Sequence, residues 1–115
     1  MLKKENRLLT RFEFNKTRRF GRKSNTKYFY FFFLLQKNVA DPARVGFVAT
    51  THFDKRAVVR NRARRILREV FRKNFDRLRS GFWLVVYPKQ EIKGISYEEL
   101  NAQFNRDLPT LPFAK

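Results

Sequence analysis

The chain has 115 residues, the usual size of one domain, and 27 Lys and Arg against 10 Asp and Glu give it a net charge of +17. Self-repulsion of that size opposes folding unless an anionic partner neutralises it. The absence of cysteine excludes disulfides and Cys-based zinc sites, and the single histidine excludes a two-histidine metal site. Because 43% of the residues are apolar, we expect one folded domain over 1–115, with short flexible ends at about 1–8 and 109–115.

The sequence carries no membrane signal. Its longest apolar run, residues 28–35, has eight residues, whereas a membrane-spanning helix needs about 20. The basic N-terminus leads into no apolar signal-peptide core. We therefore expect a cytoplasmic protein with no membrane partner.

The first elements are a short helix and an aromatic strand. Thr10 followed by Glu13 forms a capping-box pattern, which predicts a helix over 11–19 that ends at Gly21 and carries Phe14 and Arg18 on one face. Residues 22–26 are predicted to be a basic loop. The aromatic run 28–35 predicts a strand, whose alternation places Tyr28, Tyr30 and Phe32 on one face and Phe29, Phe31 and Phe33 on the other.

After a turn at 36–43, residues 44–50 predict a second strand, paired with the first as a hairpin. A long helix is expected over 55–78 with Asp54 as its N-cap, then a strand over 82–87. Ser96 followed by Glu99 forms a second capping-box pattern, which predicts a final helix over 97–107. The order α-β-β-α-β-α predicts an α+β two-layer sandwich, with a small sheet under helices.

The long helix has two distinct faces. Its apolar stripe comprises Val59, Ala63, Ile66, Leu67 and Val70. Beside the stripe, a sector of about 140° holds the residues that we call the arginine sector: Arg60, Asn61, Arg64, Arg65, Arg68 and Arg72.

Residues 55–79 carry nine arginines and two lysines against Glu69 and Asp76. A solvated helix face normally alternates signs at a spacing of four, whereas here Arg follows Arg. The preference for Arg over Lys favours phosphate, which the planar guanidinium binds with two parallel hydrogen bonds. Asn61 could bind a base, sugar or phosphate, or could bond within its own helix. These features predict a nucleic-acid partner and leave RNA and DNA both open.

Residues 55–72 resemble the signature of the bacterial ribonuclease P protein component. The matching features are the step Ala57-Val58, the triplet Arg60-Asn61-Arg62, the pair Arg64-Arg65, and Arg68-Glu69 ahead of an aromatic residue. The resemblance covers most of 6–108. Its outlying matches are Asn6-Arg7-Leu8, Phe14, Gly21, Arg44-Val45-Gly46 and Ser96-Tyr97-Glu98-Glu99.

This resemblance implies a left-handed βαβ crossover and a subunit of the ribonuclease P holoenzyme, which removes the 5′ leader of precursor tRNA. The catalytic RNA and its Mg²⁺ would perform cleavage, so we expect no catalytic or metal-ligating residue in this chain. The residues implied to bind catalytic RNA are Arg56, Arg60, Asn61, Arg62, Arg64, Arg65, Arg68 and Arg72. Those implied to form the leader cleft are Phe14, Arg18, Tyr28, Tyr30 and Phe32, whose aromatic members could instead be core residues.

The chain departs from the family pattern after the second strand. The family often has Ser-Lys-Lys or Ala-Lys-Lys there, whereas this chain has Thr50-Thr51-His52-Phe53. Arg18, Arg22 and Lys23 could supply the missing charge. The alternative function is that of a ribosomal or other structural RNA-binding protein. A membrane-surface or peptide-binding helix ranks last, because the strands require the apolar stripe as core.

Overall fold

A computed structural model describes residues 2–38 and 40–115. Met1, in the predicted N-terminal end, and Val39, in the predicted turn at 36–43, lie outside the described residues. The helices and strands are α1 (Arg11–Phe20), β1 (Arg22–Asn25), β2 (Phe29–Leu35), β3 (Arg44–Phe47), α2 (Ala57–Lys73), β4 (Phe82–Pro88) and α3 (Tyr97–Asp107). Short 3-10 turns lie at Lys4–Asn6, Phe75–Arg77, Gln90–Ile92 and Leu108–Thr110.

The strands form one sheet in the order β1-β2-β4-β3. The predicted hairpin between β2 and β3 is wrong, because β4 lies between them, antiparallel to β2 and parallel to β3. Strand β4 is apolar on both faces and is buried along nearly its whole length, which suits a central position. The predicted basic loop at 22–26 is also wrong, since Arg22–Asn25 pairs with β2 as an edge strand, where charged side chains reach solvent.

Helix α1 begins as its capping box predicts. Thr10 Oγ1 accepts a hydrogen bond from Glu13 N at 3.1 Å, and Glu13 Oε1 accepts one from Thr10 N at 2.9 Å. Glu13 Oε2 also accepts a hydrogen bond from Arg44 Nη1 at 3.1 Å, which connects α1 to β3. Gly21 ends the helix at φ −84°, so close packing explains the glycine: a Cβ there would lie 2.4 Å from the Thr17 carbonyl oxygen.

Helix α2 begins and ends inside its predicted limits of 55 and 78. Its N-cap is Arg56, and the predicted capping role of Asp54 is wrong, because the Asp54 carboxylate binds Arg56 N at 2.8 Å ahead of the first turn. At the other end, Asn74 Nδ2 donates to the Val70 carbonyl oxygen at 2.8 Å, and a 3-10 turn follows. Helix α3 spans the predicted residues, and Ser96 Oγ accepts from Glu99 N.

Side chains alternate between two apolar clusters on opposite faces of the sheet. The larger cluster is covered by α2 and α3 and includes Phe29, Phe31, Phe71, Phe104 and Phe113. The smaller one lies beneath α1 and includes Leu8, Val85 and Tyr87. The predicted α+β class is confirmed, and the helices lie on both faces of the sheet rather than on one. The parallel β3-α2-β4 connection is a βαβ unit, whose left-handedness stays a prediction.

Residues near both chain ends contribute to the core. Leu2 and Leu8 are buried, as are Leu111 and Phe113, and Leu78 forms a β-bridge with Ala114. Flexibility of the ends stays a prediction, but their apolar side chains are packed.

We predict that Glu13→Gln lowers the free energy of unfolding by about 1 kcal/mol, since it weakens both the helix cap and the contact with β3. Urea denaturation of the wild type and the variant measures the difference. Glu5→Gln, which makes the same charge change at an exposed position, is the control and should have little effect.

The stability difference between the wild type and Glu13→Gln should depend on pH. Burial is the largest single influence on the pKa of Glu13, and it raises that pKa. Hydrogen bonds from Leu9 and Thr10 and the charge of Arg44 together lower it by more, so the pKa of Glu13 lies below its ordinary value. A lowered carboxylate pKa stabilises the folded state above the ordinary pKa of about 4.3, and this contribution is lost as the pH falls through the lowered pKa. The gap between the wild type and Glu13→Gln should therefore shrink on acidification. A gap that widened would contradict this account.

Candidate nucleic-acid interface

Helix α2 is divided lengthwise between core and solvent. Its buried residues are Ala63, Ile66, Leu67, Val70 and Phe71, and Val59 packs against the same cluster. The predicted apolar stripe is therefore confirmed. In the arginine sector, Asn61, Arg65 and Arg72 are exposed, while Arg60, Arg64 and Arg68 are half-buried at its flank. Burial of the stripe thus turns the cationic face outward.

Two arginines of the sector are held by uncharged groups. Arg60 Nη1 donates to the carbonyl oxygens of Asp54 and Lys55, at 3.0 and 2.8 Å, and Arg64 donates to Asn61 Oδ1. Within residues 2–38 and 40–115, the side chains of Arg65 and Arg68 have no hydrogen bond or ion pair to another residue. Their positive charge is therefore open to a ligand.

Arg72 is the member of the sector that pairs with a carboxylate. Its Nη2 lies 3.0 Å from Glu69 Oε2, and this hydrogen bond lowers the pKa of Glu69 and raises the pKa of Arg72. Both side chains are substantially exposed, so the pair contributes little stability.

Two predicted RNA-binding residues lie outside the arginine sector. Arg62 lies next to Arg65 at the border of the sector. Its Nη2 donates to the Ile95 carbonyl oxygen at 2.7 Å and so connects α2 to the segment before α3. Arg56 precedes the helix and pairs with Asp54 at 3.0 Å. The structure therefore gathers six of the eight predicted residues into the arginine sector, and the other two lie beside it, in a groove that Arg65 also lines.

A second surface lies on the α1 side of the sheet. We call it the aromatic surface, and its members are Phe14, Tyr30, Phe32, Trp83 and Tyr87. Tyr30 and Tyr87 stack with ring centroids 4.8 Å apart and planes inclined by 1°. Burial and the neighbouring Tyr87 raise the pKa of Tyr30, which keeps its hydroxyl neutral. All the rings except that of Tyr87 are half-exposed, so the surface joins the core to solvent.

Cations surround the aromatic surface. Lys23 Nζ lies 4.8 Å from the ring centroid of Tyr30 and 5.9 Å from that of Phe32, and Lys16 Nζ lies 5.4 Å from that of Trp83. Arg18 Nη1 donates to the Tyr87 hydroxyl oxygen at 2.8 Å. Rings beside positive side chains form a surface that can stack unpaired bases and attract their phosphates.

Phe14 reaches this surface because β3 carries a glycine beneath it. A Cβ on Gly46 would lie 2.3 Å from two atoms of the Phe14 ring, so only glycine leaves room for the ring in its present position. The predicted grouping of Phe14, Arg18, Tyr30 and Phe32 is therefore reproduced by the structure.

Tyr28 does not share this face, and that prediction is wrong. The residue precedes β2, so the alternation of the strand does not extend to it. Its ring is buried in the larger cluster, and its hydroxyl donates to Glu99 Oε1 at 2.9 Å. This contact occupies the carboxylate that was expected to complete the capping box of α3.

Sequence reasoning missed Trp83, Tyr87 and Lys16 as members of the aromatic surface. Alternation along 82–87 places Trp83, Val85 and Tyr87 on one face, but it does not indicate which face meets α1. His52 lines an open cavity of 330 Å³ beside Tyr30 and Tyr87. It therefore lies at the edge of the aromatic surface.

The described residues contain no group of three or more His, Cys, Asp or Glu that could hold a metal ion. In the same part of the chain, no helix is both long and apolar enough to cross a membrane.

Comparison with known proteins identifies the family. The sequence model of the family described as ribonuclease P matches residues 2–111. The chain belongs to this family. The ribonuclease P protein component of Symbiobacterium thermophilum is 42% identical over 67 residues, which cover 58% of this chain and 57% of that protein. That of Nitratiruptor sp. is 32% identical over 101 residues and covers 88% and 87% of the two chains.

Solved structures of the ribonuclease P family have the same fold. The RNase P protein from Thermotoga maritima superposes with a TM-score of 0.76 at 27% identity and covers 91% of this chain and 96% of that chain. The Staphylococcus aureus RNase P protein, at 18% identity, covers 97% and 100% with a TM-score of 0.79. The fold thus persists in this family although few residues are shared.

We predict that Gly46→Ala lowers the free energy of unfolding by about 1–3 kcal/mol, because the added methyl group displaces the Phe14 ring. In a Phe14→Leu background the same substitution should cost less, since the smaller side chain leaves room. Denaturant unfolding of the four proteins measures this coupling. Equal costs in the two backgrounds would show that Gly46 does not position Phe14.

Proposed function

We propose that this chain is the protein subunit of ribonuclease P, which assists the endonucleolytic removal of the 5′ leader from precursor tRNA. Membership of the family supports this function. The observation that carries it is the outward-facing arginine sector, in which the side chains of Arg65 and Arg68 have no partner within 2–38 and 40–115.

The arginine sector is the proposed site for the catalytic RNA. Its members project from a helix that the apolar stripe fixes to the sheet, so little backbone freedom is lost on binding. Guanidinium groups repeated along a helix suit phosphates that are repeated along a folded RNA.

The aromatic surface is the proposed site for the single-stranded leader. Half-exposed rings can stack on unpaired bases at about 1–3 kcal/mol each with little sequence preference, which suits leaders of varied sequence. Lys23 and Arg18 would contact the leader phosphates and replace part of the charge that Thr51 and His52 do not supply.

The chain would lower the Mg²⁺ requirement of the reaction without holding the metal itself. Its net charge of +17 screens the repulsion between catalytic RNA and precursor tRNA, work that Mg²⁺ would otherwise perform. Cleavage at RNA-held Mg²⁺ and a cytoplasmic location both belong to this proposal.

Reconstitution tests the function directly. Adding the protein to a bacterial ribonuclease P RNA at low Mg²⁺ should accelerate the cleavage of precursor tRNA at the 5′ end of the mature sequence, whereas the protein alone should cleave nothing. RNA binding without faster cleavage would instead favour a purely structural RNA-binding protein.

For the arginine sector, we predict that Arg65→Ala weakens binding to the catalytic RNA and reduces the slope of log K against log salt by about 1, as expected for one lost phosphate contact. Titrations at several salt concentrations measure the slope. Arg106→Ala removes an exposed charge from α3 and is the matched control. Equal slopes for the two variants would remove Arg65 from the interface.

For the aromatic surface, we predict that Tyr30→Ala weakens precursor-tRNA binding by the holoenzyme about tenfold and leaves mature-tRNA binding nearly unchanged, because only the precursor has a leader to stack. Competition binding with both RNAs measures the two affinities. A parallel loss for both RNAs would indicate that Tyr30 acts through the fold.

A further inference from the structure

Asp54 lies in the connection between β3 and α2, three residues before the helix begins. Its Oδ1 accepts hydrogen bonds from Arg56 N at 2.8 Å and Arg56 Nε at 3.0 Å. Its Oδ2 lies 3.0 Å from both Arg56 Nη2 and Lys93 Nζ. One carboxylate therefore holds two cations that are 37 residues apart in the chain.

The carboxylate and its partners differ in their exposure. The Asp54 side chain is 9% exposed, whereas that of Arg56 is 70% exposed and that of Lys93 is 33% exposed. Hydrogen bonds from Arg56, and then from Lys93, hold the pKa of Asp54 well below its ordinary range, so the carboxylate stays ionised. The negative group is thus covered while the positive groups reach solvent.

Arg56 and Lys93 border a groove between α2 and the loop before α3. The groove has a volume of 490 Å³ and an apolar floor that includes Val59, Ala63 and Ile92. The cations that line it are Arg56, Arg62, Arg65 and Lys93, and no carboxylate is among its described lining residues. Arg65 also belongs to the arginine sector, so the two surfaces are continuous.

We propose that Asp54 is a positioning residue that holds Arg56 and Lys93 at this groove as a pair that binds RNA phosphate. The inference rests on the proposed function and extends the RNA-binding surface past the arginine sector. It also assigns an RNA contact to Lys93, which lies outside α2.

The contacts leave donors free for the ligand. Asp54 uses Nε and Nη2 of Arg56, so Nη1 remains available, and the Lys93 ammonium has three donors in all. A further contact orients Lys93, whose Nζ lies 4.9 Å from the ring centroid of Phe53. Gln90 Nε2 also donates to the Phe53 carbonyl oxygen at 2.7 Å and connects the same two segments. Cations held in place before binding lose less entropy when phosphate arrives.

The substitution Asp54→Asn separates this inference from simple electrostatics. It raises the net charge by one, so a purely electrostatic effect would tighten RNA binding. If Asp54 positions the two cations, the variant instead binds the catalytic RNA roughly threefold to tenfold more weakly, the equivalent of part or all of one charge-assisted hydrogen bond. Asp76→Asn makes the same charge change after α2 and should bind as tightly as the wild type or slightly more tightly.

A positioning role also predicts coupling. In an Arg56→Ala/Lys93→Ala background, Asp54→Asn should no longer weaken RNA binding, because the groups that it positions are absent. The same loss in both backgrounds would assign Asp54 a structural role and would overturn the inference. Circular dichroism melts establish that each variant is folded at the temperature of the titration.

Lys93 provides a test that does not depend on Asp54. Lys93→Ala should weaken RNA binding and lower the salt slope by about 1, whereas Lys115→Ala, at an exposed end, should not. This pair decides the question if Asp54→Asn does not fold, and equal slopes would overturn the inference.

Failure of the wild-type protein to bind the catalytic RNA would defeat the proposed function, whereas tight binding by both wild type and Asp54→Asn would defeat this inference alone.

Discussion

The structure depends on the two-sided character of α2. Arginines spaced four residues apart repel one another and destabilise an isolated helix, so this segment needs tertiary contacts to stay helical. Ala63, Ile66, Leu67, Val70 and Phe71 provide those contacts against the sheet and α3. Burying this stripe fixes the helix and also fixes the direction of the arginine sector. Stability of the fold and presentation of positive charge are thus consequences of one packing arrangement.

The sheet separates two kinds of aromatic residue. Phe29 and Phe31 are enclosed beneath α2 and α3, where they form the core. Tyr30 and Phe32 alternate with them along β2 and lie on the α1 side, which α1 covers incompletely. Alternation within β2 therefore gives one buried face that supports α2 and one half-exposed face that lies beside cations. The proposed sites for catalytic RNA and leader consequently lie on opposite sides of the sheet.

The features that the sequence predicts well depend on residues that are close together along the chain. The capping boxes indicate where α1 and α3 begin, and the periodicity of α2 identifies both of its faces. The pairing of β4 between β2 and β3 depends on contacts between distant segments, so local alternation cannot reveal it. Tyr28 lies on the other face because it precedes the first residue of β2, where the alternation of the strand begins. Asp54 is of a residue type that commonly caps helices, but its role depends on Lys93, which only the folded chain brings near Asp54.

The account is tested most directly by locating the RNA on the surface of the protein. Because the chain has no cysteine, a single introduced cysteine can carry a photo-crosslinker at a chosen position. Asn61→Cys places it within the arginine sector, and Thr110→Cys places it at an exposed position after α3. Crosslinks to the catalytic RNA should form from position 61 and not from position 110. Efficient crosslinking from position 110 and none from position 61 would contradict the central claim.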